Sequence, residues 1–238
     1  GTIALTKTDK VDEARLTECA NEIAALVKGS PFEDASIYRT SIEEPDSFKP
    51  LLDHLKTQTQ KSGEQSADQV FRIAIDRVFA VSGAGTVVTG TVHSGSVQKD
   101  STLFHYPSDS QVKVRSLRAQ DQEVSSARAG DRCSINIAGL NVDQIARGDW
   151  LSSITLPHLT NLSVNLSALP NFPRNIKHWS PVHVYHATTH STGRVALLES
   201  NSLKPGEEQL ADIVLDKPLA SFHGDRLILR DQSLDLTL

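Results

Sequence analysis

The chain has 238 residues, a formal charge of −5 at pH 7 and 5% aromatic residues. It lacks the basic-then-apolar N-terminus of a signal peptide and any apolar run near the roughly 18 residues of a membrane span, which argues against a secreted or membrane protein. Cys19 and Cys133 lie far apart in the chain, so we expect no disulfide framework and a cytoplasmic protein with reduced thiols. The absence of methionine and the start at Gly1 lead us to expect a piece of a larger protein.

The first 60 residues alternate between extended and helical patterns. Residues 2–5 and 35–39 are short apolar or β-branched runs, whereas apolar residues recur at helical spacing over 16–27 and 48–55. This β-α-β-α order predicts part of a parallel sheet flanked by helices. Two strands are too few to build a core of their own, so we expect residues 1–60 to be the C-terminal part of a larger α/β domain.

Residues 61–69 belong to a polar stretch without apolar periodicity, which predicts a linker. From Val70 onward the sequence turns into short runs rich in Val, Ile and Thr, separated by Gly, Asp, Ser and Pro about every ten residues. This spacing is typical of small antiparallel β-barrels, so we predict a mainly β fold with one barrel over 70–152 and a second over 156–238. The predicted strands are 71–78, 85–92, 101–105, 111–117 and 132–138, then 162–166, 181–186, 193–199, 210–215 and 226–229.

The most specific segment runs from Phe71 to Phe79 and on through Gly-Ala-Gly-Thr-Val-Val-Thr-Gly at 83–90. Its Gly-x-Gly is no dinucleotide fingerprint, because β-branched residues follow and no helix opens there. As a whole, the segment resembles the second domain of translational GTPases of the elongation factor Tu type, in particular selenocysteine-specific elongation factors. The resemblance spans nearly the whole chain and continues through residues 130–132, 136–139, 147–150, 183–186 and 192–195.

This resemblance implies that residues 1–60 are the end of a GTPase domain. Thr6-Lys7-Thr8-Asp9 then resembles the family's guanine motif, in which the Asp9 carboxylate accepts hydrogen bonds from guanine N1 and N2 and Lys7 lies along the base. Ser41 sits where the family has a second guanine loop. Without the family, Thr-Lys-Thr-Asp is more typical of a strand end followed by a helix cap.

No phosphate loop and no D-x-x-G switch precede Thr6, and phosphoryl transfer requires both. We therefore expect GTP and Mg²⁺ in the complete parent protein, no tightly bound cofactor in this chain, no catalytic residue and no activity of the chain alone.

The resemblance also implies a selenocysteyl pocket made of Asp76, Arg77 and Arg132. The side chain of selenocysteine is anionic at neutral pH, whereas that of serine, which the precursor tRNA carries, is neutral. Guanidinium groups could therefore distinguish the two aminoacyl groups by their charge. Asp76 could hold an arginine or accept the α-amino group. The alternative is a surface Asp–Arg pair at a barrel rim.

A basic patch on the barrels is where the family would dock the tRNA acceptor end. Its candidate residues are Lys113, Arg115 and Arg118 on the first barrel and Arg194 on the second, where they would position the tRNA through phosphates without selecting its identity. The alternative is a solvated surface of mixed charge.

Three histidines, at 183, 186 and 190, have a spacing that invites a metal site. In a strand, His183 and His186 point to opposite faces, so we expect no metal.

We therefore predict part of a factor that binds selenocysteyl-tRNA and delivers it to the ribosome in a GTP-dependent way. The messenger hairpin would be bound by a C-terminal extension that this chain does not contain, and no membrane partner is expected. Two alternatives stay open: another translational GTPase, either a general elongation factor or the initiation factor two gamma type, and a non-enzymatic two-barrel scaffold.

Overall fold

The computed structural model describes residues 1–61, 69–83 and 85–238. Contacts divide the chain into two compact units, 1–64 and 65–238. Most of the predicted linker and Ala84 of the glycine-rich segment lie outside the described residues, and the domain boundaries stay predictions. Within the described part of the chain, no helix combines the length and apolar character needed to cross a membrane.

The first unit is a two-stranded parallel sheet with two helices. Its elements are β1 (Thr2–Thr6), α1 (Glu13–Val27), β2 (Ser36–Thr40) and α2 (Lys49–Lys61), with 3₁₀ turns at Thr8–Lys10 and Pro45–Phe48. The side chain of Asp12 caps α1 by accepting a 2.9 Å hydrogen bond from the Arg15 N–H. Among the described residues of this unit, Leu16 is the one buried large apolar side chain, so these elements enclose no core. The predicted β-α-β-α order with a parallel strand pair is confirmed.

The second unit begins with a closed antiparallel barrel. Six strands pair in the ring β10-β4-β3-β11-β6-β7, which the β7–β10 ladder closes. The ring strands are β3 (Arg72–Val81), β4 (Gly85–Ser94), β6 (Thr102–Tyr106), β7 (Ser110–Ala119), β10 (Arg132–Ala138) and β11 (Trp150–Ser152). Outside the ring, β8 (Gln122–Val124) pairs with β7, and β5 (Ser96–Gln98) and β9 (Ser126–Arg128) form a separate two-stranded sheet. Alternate residues of these strands face inward, so that Ile73, Val88 and Ile135 are fully buried in one core.

The rest of the second unit is built around an antiparallel sheet with the strand order β12-β17-β15-β14-β18. Its strands are β12 (Leu159–Ser167), β13 (Ile176–Lys177), β14 (Ser180–His186), β15 (Thr189–Leu197), β16 (Ser202–Leu203), β17 (Glu208–Leu219) and β18 (Ile228–Asp231), with β13 paired to β16. Val182, Val195 and Ile213 are fully buried in its core. The predicted mainly β fold of two consecutive small barrels is confirmed.

A buried ion pair joins the two barrels. Arg72 of β3 donates to both carboxylate oxygens of Asp225 at 2.7 and 3.0 Å, and its guanidinium lies over the ring of Phe222, 4.5 Å from the centroid. Trp150 is packed in the same interface beside Ala220.

The turn between β14 and β15 also contacts the first barrel. Thr188 Oγ1 donates to the Ile75 carbonyl at 2.9 Å, and Thr189 Oγ1 donates to the Gly148 carbonyl at 2.6 Å. The second barrel is therefore hydrogen-bonded to the backbone of β3 one residue before Asp76.

Candidate functional site

The predicted guanine-binding residues lie at one end of the parallel sheet. Thr6 pairs with Thr40 in the last register position of β1 and β2. Lys7 follows in the left-handed region, at φ 59°, which is uncommon for a residue with a side chain, and turns the backbone into the 3₁₀ turn that carries Asp9. The carboxyl ends of parallel strands share an edge, which brings Thr6, Lys7, Asp9 and Ser41 together. Their role in binding guanine stays a prediction.

Asp9 is held in place by its neighbours. The buried Ser41 donates a short hydrogen bond to Asp9 Oδ1, and Lys10 Nζ lies 2.9 Å from Oδ2. The Ser41 hydrogen bond, with Lys10 second, holds the pKa of Asp9 below its ordinary value, so the carboxylate is an acceptor at neutral pH. The Ser41 hydroxyl also accepts from the Glu43 N–H at 3.1 Å, which fixes its orientation.

A β-bulge displaces Asp76 from the ladder between β3 and β4. Ile75 pairs with Gly90 and Arg77 pairs with Thr89, so Asp76 has no partner residue on β4. A bulge of this kind re-aims the side chain of the extra residue. Here it directs the Asp76 carboxylate across β4 toward β10, where Ser134 pairs with Thr89.

Asp76 joins Arg132 and Thr89 in one hydrogen-bonded row. Arg132 Nη1 donates a short hydrogen bond to Asp76 Oδ2, and Thr89 Oγ1 donates to Oδ1 at 2.6 Å. The bond from Arg132 lowers the pKa of Asp76, although partial burial opposes the change, and Thr89 and the charge of Arg77 lower it further. The same bond raises the pKa of Arg132. The structure thus brings Asp76 and Arg132 together with both groups charged.

Arg132 lies at a pocket of about 350 Å³, which the sequence did not predict as a unit. The lining residues are Thr89, Arg118, Gln120, Asp121, Arg132, Cys133 and Ser134. The Arg118 side chain, on β7, donates a 2.7 Å hydrogen bond to the carbonyl of Asp121 in the β7–β8 turn, which restricts its orientation. Arg77 is exposed beside Asp76 but does not line this pocket. Thr89 was missed, and the register of β4 against β3 and β10 is the signal that could have identified it. Arg118 was predicted as a tRNA-binding residue but not as part of this pocket.

The predicted tRNA-binding residues are spread over both barrels. Lys113 and Arg115 are exposed on β7, and Arg115 is the unpaired residue of a second bulge, between the pairs Ser116–Asn136 and Val114–Ile137. Arg118 alone among the four lines the pocket. Arg194 is exposed on β15, where it donates to the Trp179 carbonyl at 3.3 Å. Their contact with tRNA stays a prediction.

The three histidines do not form one cluster. His183 Nδ1 and His190 Nε2 are 3.1 Å apart on adjacent strands, whereas His186 is buried elsewhere, stacked on Trp150 with ring centroids 5.3 Å apart. His183 and His186 are thus on opposite faces of β14, as the strand geometry requires.

Two family models match the two barrels. The model described as Elongation factor Tu domain 2 matches residues 85–152. The model described as Selenocysteine-specific elongation factor, beta-barrel domain, matches residues 161–238.

Similar proteins cover the chain from end to end. The selenocysteine-specific elongation factor of Escherichia coli (strain K12) is 40% identical over 239 residues, which are 100% of this chain and 37% of that protein. That of Desulfomicrobium baculatum is 32% identical over 98% of this chain and 37% of its own length. The crystal structure of translation elongation factor SelB from Methanococcus maripaludis, in complex with the GTP analogue GppNHp, has a TM-score of 0.82 at 22% identity, over 100% of this chain and 57% of that chain. The chain therefore spans little more than a third of the curated relatives it matches.

Proposed function

The chain belongs to the family of selenocysteine-specific elongation factors, and on that premise we propose that its barrels bind the aminoacyl end of selenocysteyl-tRNA in a factor that delivers it to the ribosome under the control of GTP. The observation that carries this proposal is the Asp76–Arg132 pair beside a pocket that also contains Arg118.

The chemistry of this pocket fits a small anionic side chain next to a cationic amine. Arg132 has a second guanidinium nitrogen that Asp76 does not occupy, and Arg118 presents another cation on the same cavity. A selenolate would gain charge-assisted contacts from both, whereas the neutral hydroxyl of serine would gain less. The ionised Asp76 suits the α-amino group, and together with Asp121 it keeps the pocket from attracting every anion.

The edge of the parallel sheet fits the guanine of GTP. Asp9 is ionised and fixed by Ser41, and each of its oxygens has a second lone pair that the observed contacts leave available for the guanine N1 and N2 donors. The relative from Methanococcus maripaludis was crystallised with a GTP analogue. GTP and Mg²⁺ would supply the phosphoryl chemistry in the complete protein. The residues of this chain would only select the base.

The proposal is tested with the complete protein loaded with a GTP analogue. Protection of the aminoacyl ester against hydrolysis is measured on selenocysteyl-tRNA and seryl-tRNA, for the wild type and for Arg132→Ala. Arg147→Ala, an exposed arginine of the first barrel outside the pocket, is the matched control. We expect selective protection of the selenocysteyl ester in the wild type and the control, and its loss in Arg132→Ala.

Each alternative function has its own outcome. Equal protection of both esters by the wild type would indicate another translational GTPase and refute the selectivity. Failure of the complete protein to bind GTP or tRNA would indicate a two-barrel scaffold.

A further inference from the structure

Two imidazoles and a carboxylate converge where the barrels meet. His93 lies on β4, His186 ends β14, and Asp225 precedes β18; one ligand atom of each lies within 4.8 Å of the other two. His93 Nε2 is 3.5 Å from Asp225 Oδ1, and His186 Nε2 is 3.3 Å from Oδ2. This cluster shares no residue with the pocket at Arg132 or with the pair formed by His183 and His190.

His186 is buried without a hydrogen-bond partner. Its side chain is 1% exposed, and neither Nδ1 nor Nε2 finds a partner in the described part of the chain. The Nε2–Asp225 contact is close, but it does not meet the geometry of a hydrogen bond. A buried polar group left unpaired loses its hydration without a replacement, so such an atom calls for an explanation.

Asp225 retains coordinating capacity on one oxygen. Oδ2 accepts from Arg72 Nη1 at 2.7 Å and from the Phe222 N–H at 2.8 Å, which fills its two lone pairs. Oδ1 accepts from Arg72 Nη2 at 3.0 Å and has one lone pair left, on the atom that faces His93. Although burial would raise the pKa of Asp225, its contacts with His186, His93 and Arg72 hold that pKa far below the ordinary value.

We propose that His93, His186 and Asp225 form a site for a divalent transition metal ion of the zinc type. Metal–nitrogen and metal–oxygen bonds of about 2.0–2.1 Å place tetrahedral ligand atoms roughly 3.3–3.4 Å apart, which is close to the 3.5 Å between His93 Nε2 and Asp225 Oδ1. The ligand atom of His186 lies within 4.8 Å of the other two. Two imidazoles and one carboxylate are a ligand set of zinc-type ions with an open fourth position, and the half-exposed His93 gives water access to it. The ion would give Nε2 of His186 a partner and would link β4 of the first barrel to the second barrel.

Arg72 limits how tightly the ion is held. Its guanidinium shares Asp225 and brings a positive charge next to the metal. The site is therefore one that a chelator empties without unfolding the chain, and the barrels stay joined by the Arg72–Asp225 pair in its absence. The proposal does not depend on the proposed function, because none of the three residues is assigned to tRNA or GTP.

The test uses the 238-residue chain, freed of metal with a chelator and titrated with CoCl₂ and ZnCl₂. The visible absorption of bound Co²⁺ reports the coordination geometry of the site, and Zn²⁺ should displace the bound Co²⁺. We expect one equivalent bound in a tetrahedral-type environment and a Tm that rises with Zn²⁺. In His93→Gln, the dissociation constant should rise by at least about tenfold, since loss of even an outer partner of a metal ligand costs 10–100-fold.

His190→Gln is the matched control, because it breaks the His183–His190 pair and leaves the proposed cluster intact. It should bind like the wild type. Equal binding by His93→Gln, loss of binding in His190→Gln, or no binding by the wild type would each overturn the proposal. The half-exposed His93 can be replaced without disturbing the core, and an unchanged Tm of metal-free His93→Gln would verify this.

Discussion

Asp225→Asn should destabilise the second unit strongly, because it leaves a buried guanidinium without its counter-charge. The side chains of Arg72 and Asp225 are 10% and 5% exposed and are joined by two hydrogen bonds. Removing one partner of a buried pair costs about 3–5 kcal/mol. For a unit of this size each kcal/mol lowers Tm by about 2–4 °C, so we expect a drop of roughly 6–20 °C.

The assay is urea and thermal unfolding of the chain, with chelator present so that no metal contributes. A double variant, Arg72→Met with Asp225→Asn, separates the charge effect from packing. It should be more stable than Asp225→Asn alone, since it buries no unpaired charge, although it gives up the contact of Arg72 with the Phe222 ring. A loss below about 1 kcal/mol for Asp225→Asn, the value typical of exposed pairs, would refute the reasoning. So would a double variant whose loss equals the sum of the two single ones.

Three further predictions concern stability and reactivity. Gly90→Ala should cost about 3 kcal/mol or more in urea unfolding, because the new Cβ would lie 2.2 Å from the Ala74 carbonyl oxygen; a cost below 1 kcal/mol would contradict this contact. Burial raises the pKa of the Cys133 thiol to about 12, so in the native chain at pH 8 a thiol reagent should modify Cys19 and spare Cys133, as mass spectrometry would show. The pKa of Asp225 is lower in the folded than in the unfolded chain, so its ionised form stabilises the fold above the ordinary carboxyl pKa of about 4. This stabilisation is lost as pH falls toward the folded-state pKa. The Tm should therefore drop below pH 4 in the wild type, and less steeply in Asp225→Asn.

The strands were the most predictable part of the fold. Alternation of apolar and polar residues is a local signal, and the predicted strand at 132–138 coincides with β10. β11, at Trp150–Ser152, has three residues, too few for a periodic pattern, and it was missed although it completes the ring of the first barrel. Arg72 lies in a recognisable motif, but its burial depends on Asp225, 153 residues away, and no local pattern reports such a pairing.

The candidate site was only partly predictable. The resemblance named Asp76 and Arg132, but not the bulge that turns the Asp76 carboxylate toward β10, because a bulge depends on the register of two strands. Thr89 was missed for the same reason, because it joins the site through strand pairing. Arg118 was predicted for tRNA binding, but its place at this pocket depends on the β7–β8 turn and was not predicted. The metal cluster was missed because His93, His186 and Asp225 come from both barrels.

The carbonyl of Ile75 is shared by the two barrels. It accepts from the Gly148 N–H and from Thr188 Oγ1, both at 2.9 Å, at the residue before the displaced Asp76. A ligand whose binding displaced Asp76 would therefore be coupled to the hydrogen bond that Thr188 makes across the barrels. Coupling of this kind is reciprocal, so formation of that hydrogen bond would change the affinity of the pocket by the same factor by which the ligand would change the stability of the hydrogen bond.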